Sequence, residues 1–230
     1  MKEILCINDH VSALSEAQTE MLLGFLPEWR REAALRFKFP QGRRDCAVGY
    51  IELLRGLRQL FGIGGKPAFC FNEHGKPFLA EHPEIHFSIS HCKEAVGCLV
   101  SDHPCGLDIE HIRPAKKGLV RYTMSQEEAE AILADPFPDL AFTRLWTQKE
   151  AVLKLIGTGI TDDLHHVLEP EMLNGIALQT IENPFRGYVV SKAVKKLKVE
   201  KDPLTPTASP KSSPKGKDFS LSHGRGRKGK

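Results

Sequence analysis

The stretch GLDIEHI, Gly106 to Ile112, places two carboxylates two residues apart inside a run that otherwise has the composition of a buried β-strand. Side chains alternate faces along a strand, so Asp108 and Glu110 share one face while Leu107, Ile109 and Ile112 sample the core side. Two like charges about 7 Å apart by strand geometry repel each other unless something positive sits between them. A divalent cation with oxygen ligands is one such thing. A solvated strand face is the plainer reading, because polar-outward alternation is normal in sheets. A second feature has to decide.

Composition bounds the alternatives. The chain has 230 residues, 41% of them hydrophobic and 27% charged, as in soluble globular proteins, and it is long enough to bury a sizeable core. No apolar run reaches the length of a membrane span. The opening MKEILCINDH lacks a leader pattern, since Asn8, Asp9 and His10 break its apolar run, so a cytoplasmic protein is expected. Six cysteines are scattered without a C-x-x-C pair, which predicts reduced thiols in or near the core and argues against zinc. The formal charge of +3 is uneven. From Lys201 onward eight Lys or Arg face two acids, a net of +6 that leaves the body at −3. That tail is rich in Pro, Ser, Gly and Lys and is expected to be disordered. Nucleic-acid binding would rest on the tail alone and is not expected.

Helical and strand signals come in blocks. Ser15 opens a helix over SEAQTEMLLGFL, Pro27 suits the first position of PEWRREAALRF, and RRDCAVGYIELLRGLRQLFG is a longer helix stopped by Gly62. Short strands are predicted at PAFCFN, IHFSISH, AVGCLVS and CGLDIEHI. Helices resume at SQEEAEAILA, where Ser125 and Glu128 form a capping-box pattern, and through AFTRLWTQKEAVLKLIG, ended by Gly157. LHHVLEP, GIALQTI and RGYVVSKAV read as short strands. Helices separated from runs of adjacent strands indicate an α+β fold.

The second feature is LWTQKEAVLK, where Lys149 and Glu150 lead to Lys154. Glu150 and Lys154 stand at i and i+4, and in isolation they are an exposed helical ion pair worth about 0.3 to 0.5 kcal/mol. Together with the strand they could form a three-oxygen Mg²⁺ site of Asp108, Glu110 and Glu150 with positions left open for phosphate oxygens, and Lys154 would lie beside the same phosphates.

GLDIE followed about forty residues later by WTQKEAVLK resembles the paired signature of the 4′-phosphopantetheinyl transferases, and GKP (Gly75 to Pro77) and FSISH (Phe87 to His91) match two further family motifs in the expected order. Length and N-terminal half resemble the Sfp-type members. The resemblance implies two similar α+β halves forming a pseudo-dimer in one chain: 1–103 with the coenzyme A motifs, 104–198 with the metal motifs, then the tail 199–230. It further implies a monomer that transfers the phosphopantetheine arm of coenzyme A to a serine of an apo acyl or peptidyl carrier protein, releasing adenosine 3′,5′-bisphosphate. Asp108, Glu110 and Glu150 match the family's magnesium ligands, Lys76, Ser90 and His91 match positions that hold coenzyme A phosphates, and Lys154 matches the lysine beside the pyrophosphate.

Glu150 is the best-placed base for the serine hydroxyl, and Lys154 can offset charge on the leaving group. Arg30, Arg31, Arg36, Lys38, Arg43 and Arg44 compete for the 3′-phosphate, with Arg44 the choice. Thr147 replaces the commoner serine. Leu119, Val120 and Met124, beside Lys116, Lys117 and Arg121, suit an acidic carrier, unless they pack the core. Other readings are a different Mg²⁺-dependent enzyme that cleaves pyrophosphates, an adaptor acting through its tail, and a catalytically dead member of the family.

Overall fold

The computed structural model describes residues 1–73, 75–157 and 164–196, all within one compact unit, and the tail lies outside the described residues. The chain runs β1 (Glu3–Asn8), α1 (Glu16–Phe25), α2 (Glu28–Leu35), α3 (Pro40–Phe61), a short hairpin of β2 (Phe69–Phe71) and β3 (Pro77–Leu79), then β4 (His86–His91) and β5 (Val96–Ser101). It continues through β6 (Cys105–His111), α4 (Lys117–Thr123), α5 (Gln126–Ala134), α6 (Pro138–Ile156), β7 (Ile176–Asn183) and β8 (Tyr188–Lys195). The fold is α+β.

The two stretches share one topology. In the first, β4 and β5 form a hairpin whose second strand also pairs antiparallel with β1, giving the order β1-β5-β4. In the second, β7 and β8 form the hairpin and β8 pairs with β6, giving β6-β8-β7. A long helix covers each sheet. Both α3 and α6 follow a Phe N-cap with Pro in the first turn and end on a left-handed glycine, Gly62 and Gly157. Proline supplies a preset φ where no intrahelical N–H is needed, and glycine takes the positive φ that ends the last turn.

Leu5, Ile7 and Leu99 of the first sheet pack with Leu107, Ile109, Val190 and Val194 of the second in one cluster. Beside it, β4 meets β6 through side chains. Ser88 Oγ accepts from the Leu107 N–H at 3.0 Å and Ser90 Oγ from the Ile109 N–H at 3.2 Å. Lys192 Nζ, on β8, reaches Glu3 Oε1 on β1 at 2.6 Å, and Tyr188 donates to Asp9 Oδ2 at 3.2 Å.

Capping boxes at Ser15 and Ser125 form as their spacing requires. The differences have local causes. EILCIN is a strand because it finds β5 nearly a hundred residues away, with Cys6 opposite Cys98. The third helix starts at Pro40 rather than Arg43, and Pro27 is the N-cap of α2 rather than its first residue. Within LHHVLEP, Leu164–His166 is a 3₁₀ turn, not a strand. Helix α4 and strand β3 have too few residues for a periodic signal. Ile112 lies past the end of β6, outside its alternation. Asp108 is only 3% exposed, so its face of β6 is covered rather than solvated.

Helix α6 covers that face, and Gly106 sets how close it comes. A Cβ at Gly106 would lie 2.0 Å from the Ala151 carbonyl oxygen and 2.4 Å from the Leu155 nitrogen, both backbone atoms of α6. Gly106→Ala should therefore cost about 3 kcal/mol, the upper end for overpacking. Calorimetry should show Tm falling by roughly 6 to 12 °C for a chain of this size. A loss under about 2 °C would mean that α6 is free to move off the strand.

Candidate active site

The four motifs meet where α6 crosses β6 and the end of β4. Lys76, His91, Glu150 and Lys154 line a cleft of about 930 Å³ together with Arg30 and Arg36. Ser90, Asp108, Glu110 and Trp146 line an adjoining chamber of about 350 Å³, again with His91, Glu150 and Lys154. Residues spread over some eighty positions of sequence thus share one wall.

Lys154 Nζ donates to Asp108 Oδ1 at 2.6 Å and to Ser90 Oγ at 3.0 Å. It is therefore a partner of the strand carboxylate, not merely half of a pair on its own helix. Glu110 Oε1 accepts from Trp146 Nε1 at 3.3 Å, and its other oxygen is paired with Arg113, whose guanidinium lies 5.8 Å from the Trp146 ring centre. Burial pushes the Asp108 carboxyl up, against the pull of Lys154. Glu150 is pushed up by burial first and then by the negative charge of Asp108.

Asp108 Oδ2 and Glu150 Oε1 are buried without a hydrogen-bond partner. Two orphaned carboxylate oxygens on one chamber fit a hard cation with oxygen ligands. Among the described residues, however, no group of three His, Cys, Asp or Glu is arranged as a metal centre. The Lys154 ammonium and the Arg113 guanidinium supply positive charge to Asp108 and Glu110 in this arrangement.

Within the cleft, Lys76 Nζ donates to the Lys154 carbonyl oxygen at 2.8 Å, at the C-terminal end of α6 where free carbonyls favour a cation. Burial lowers the Lys76 ammonium and the His91 imidazole below their ordinary values, the latter opposed by Asp45. Arg44 is placed differently from Arg30 and Arg36. Its Nε and a terminal nitrogen both lie 3.1 Å from Asp45 Oδ1, and it is not among the residues lining the cleft. Arg43 Nε is taken by the Phe37 carbonyl at 3.1 Å.

Asp45 is buried, and its Oδ2 lies 3.9 Å from His91 Nδ1. Nothing in the sequence singles it out, because its burial depends on the distant strand β4. Thr147 is also structural, its hydroxyl lying 2.8 Å from Ser191 Oγ of β8. Val120 and Met124 belong to the core with Ile132 and Phe142, while Leu119 and Tyr122 stay exposed. The patch expected of Leu119, Val120 and Met124 therefore keeps only Leu119 and gains Tyr122.

Lys149 is the largest departure from expectation. Fully buried, it donates to the Thr123 and Leu164 carbonyls at 3.1 and 2.7 Å and to Glu128 Oε2 at 2.6 Å. The same carboxylate closes the capping box of α5, so one ammonium fastens α4, α5 and the segment after α6 to the helix bearing Glu150. Lys149→Met removes the ammonium and strands Glu128 and two carbonyls. The expected cost is about 3 to 5 kcal/mol, read as a fall in Tm of roughly 6 to 20 °C. An unchanged Tm would show that water replaces the ammonium without penalty.

A family model for the 4′-phosphopantetheinyl transferase superfamily matches residues 104–191, the stretch from just before β6 into β8. Over that stretch the chain is similar to that superfamily, and the relatives it matches include Sfp-type members. The 4′-phosphopantetheinyl transferase psf-1 of Bacillus pumilus is 31% identical over 147 residues, 63% of this chain and 63% of that protein. The transferase Sfp of Bacillus subtilis (strain 168) is 26% identical over 151 residues, 64% and 67% of the two chains. AcpT of Salmonella typhimurium is 35% identical over 131 residues, 54% and 65%. The aligned part thus spans about two-thirds of these relatives or somewhat less.

Proposed function

We propose that the protein transfers the 4′-phosphopantetheine group of coenzyme A to a serine of an apo acyl or peptidyl carrier protein, with Mg²⁺, releasing adenosine 3′,5′-bisphosphate. The observation that carries this reading is the convergence of all four motifs on one cleft and its adjoining chamber, with Lys76, His91, Glu150 and Lys154 on the cleft and Asp108 and Glu110 on the chamber. The cleft volume is that of sites for ligands of nucleotide size. The names of the relatives support the same transfer.

The carrier serine attacks the phosphorus bearing the pantetheine arm, and the bond from that phosphorus to the oxygen of the adenosine phosphate breaks. Glu150 accepts the serine proton, since its carboxyl, raised by burial and by Asp108, holds a proton better than an exposed glutamate. Lys154 offsets charge growing on the departing bisphosphate. Lys76 and His91 hold the phosphates, and Arg30 and Arg36, both on the cleft, are better placed than Arg44 for the 3′-phosphate. Asp108, Glu110 and Glu150 would hold Mg²⁺, which supplies charge neutralisation for the pyrophosphate.

The shared topology supports reading the halves as a pseudo-dimer in one chain, acting as a monomer. Six unpaired cysteines suit the cytoplasm, and no helix among the described residues is long and apolar enough to cross a membrane.

Incubation of apo carrier with the protein, coenzyme A and Mg²⁺ should add the mass of one phosphopantetheine to the carrier, and Glu150→Gln should abolish the addition. No addition to either an acyl or a peptidyl carrier, with adenosine bisphosphate still released as the phosphopantetheine passes to another acceptor, would favour a different pyrophosphate-cleaving transferase. Because the Glu150 carboxyl is raised, kcat/KM should climb with pH through a value above the ordinary glutamate range as the base loses its proton. A profile flat down to the range of exposed glutamates would remove Glu150 as the base.

The exposed side of α4 offers Leu119 and Tyr122 among Lys117 and Arg121, suited to an acidic carrier. Replacing both Leu119 and Tyr122 by Ala should raise the KM for carrier about five-fold, the effect of ~1 kcal/mol at an anchor. The KM for coenzyme A and the Tm should hold, and an unchanged carrier KM would place docking elsewhere.

A further inference from the structure

Gly75, Lys76 and Pro77 line the cleft from the hairpin of β2 and β3, while Arg30, Ala33 and Arg36 line it from α2 and its end. The hairpin belongs to neither three-stranded sheet. It pairs only Phe69 with Leu79, Cys70 with Phe78 and Phe71 with Pro77, and a two-stranded ribbon is marginal on its own in water. Contacts from outside have to fix it. At its loop, Lys76 Nζ reaches the Lys154 carbonyl of α6. Along β2 the contacts are aromatic. Phe69 and Phe71 stand two residues apart and so share one face of the strand. Both meet Trp29 of α2 edge to face, with ring centres 5.2 and 5.0 Å away and planes inclined at 62° and 86°. Phe69 continues inward to Phe87 at 6.0 Å and Tyr50 at 6.2 Å. Phe71 is 49% exposed, and its ring packs on Trp29. The Arg30 guanidinium lies 5.9 Å from the centre of the same indole, which is half-buried and is not among the residues lining the cleft.

We infer that Trp29 is a positioning residue for the coenzyme A cleft, docking the β2–β3 hairpin on α2 so that Lys76 and Arg30 are held at one spacing. The inference rests on the transferase reading above and adds a residue that none of the four motifs contains. Without the indole, Phe71 loses the ring it packs on, and the hairpin is left pivoting on Phe69. Ordering it again at the moment of binding then draws on the affinity for the ligand. Glu150 and Lys154 stand on α6, which takes no part in these ring contacts. Loss of Trp29 is therefore felt in binding of the nucleotide and not in turnover once the cleft is filled.

Steady-state kinetics with coenzyme A and apo carrier, together with calorimetric titration of adenosine 3′,5′-bisphosphate, test the assignment. Trp29→Ala should raise the KM for coenzyme A and the Kd of the bisphosphate about ten-fold, the scale of two aromatic pairs. At saturating coenzyme A, kcat and the KM for carrier should stay within about two-fold of wild type. Trp29→Phe, which keeps a ring, should recover most of the loss. Phe71→Ala should raise the same two constants about three-fold, the scale of one pair, and being half exposed it serves if Trp29→Ala does not fold. The double variant should lose no more than Trp29→Ala alone, because both rings act through one contact. Losses that multiply in the double variant, or an unchanged KM for coenzyme A in either single variant, would overturn the inference. Wild-type protein that binds neither coenzyme A nor the bisphosphate and loads no carrier would overturn the transferase reading and this inference with it. Wild-type protein that binds both and loads a carrier isolates the outcome to Trp29.

Discussion

The contact between α6 and the backbone of β6 at Gly106 is the constraint on which the rest of the site depends. Helices packed on sheets ordinarily stand off by the length of the side chains between them. Here main-chain atoms of Ala151 and Leu155 come so close to Gly106 that no side chain fits between them. The close approach brings the last turns of α6 beside Asp108, so that Lys154 reaches the carboxylate and Glu150 shares its chamber. The glycine that opens GLDIE and the spacing of WTQKEAVLK are two sides of the same contact.

A second constraint is the buried charge that this contact creates. Asp108 leaves water with one oxygen held and the other not, and Glu150 has its Oε1 buried without a partner. Carboxylates in that condition hold their protons more tightly than exposed ones, as both do. Such an arrangement persists because the surroundings hold it in place. Lys149, on the same helix, grips three neighbouring segments, and the hydroxyls of Thr147, Ser191 and Thr180 join α6 to β8 and β7. The acidic chamber is supported by polar bonds made one turn away.

The order of helices and strands was largely legible, because the helices carry their own start and stop signals in Ser15, Gly62, Ser125 and Gly157. The four motifs were legible as residues but not as a place. What the sequence could not show depends on partners far along the chain. Strand β1 has an ordinary composition and is made a strand by β5. Lys149 reads like any helix lysine until Glu128 and two carbonyls close around it. Arg44 lies one residue from an aspartate that absorbs it, while Arg30 and Arg36 reach the cleft from α2 and from its end. Asp108 looked like a solvated charge because alternation reports which face a side chain takes, not what covers that face.

The seam between β4 and β6 is closed by serine hydroxyls where a continuous sheet would use main-chain amides and carbonyls. Main-chain pairing is indifferent to side-chain identity, so most sheet joints tolerate drift in sequence. A joint made by side chains is heritable only as those residues, and each replacement changes cohesion and chemistry together. Drift is correspondingly freer on the outer faces of α1 and β7, where Met21, Phe25 and Ile181 lie exposed. The FSISH segment is thereby held to a narrow choice by the joint it makes as well as by the cleft it lines.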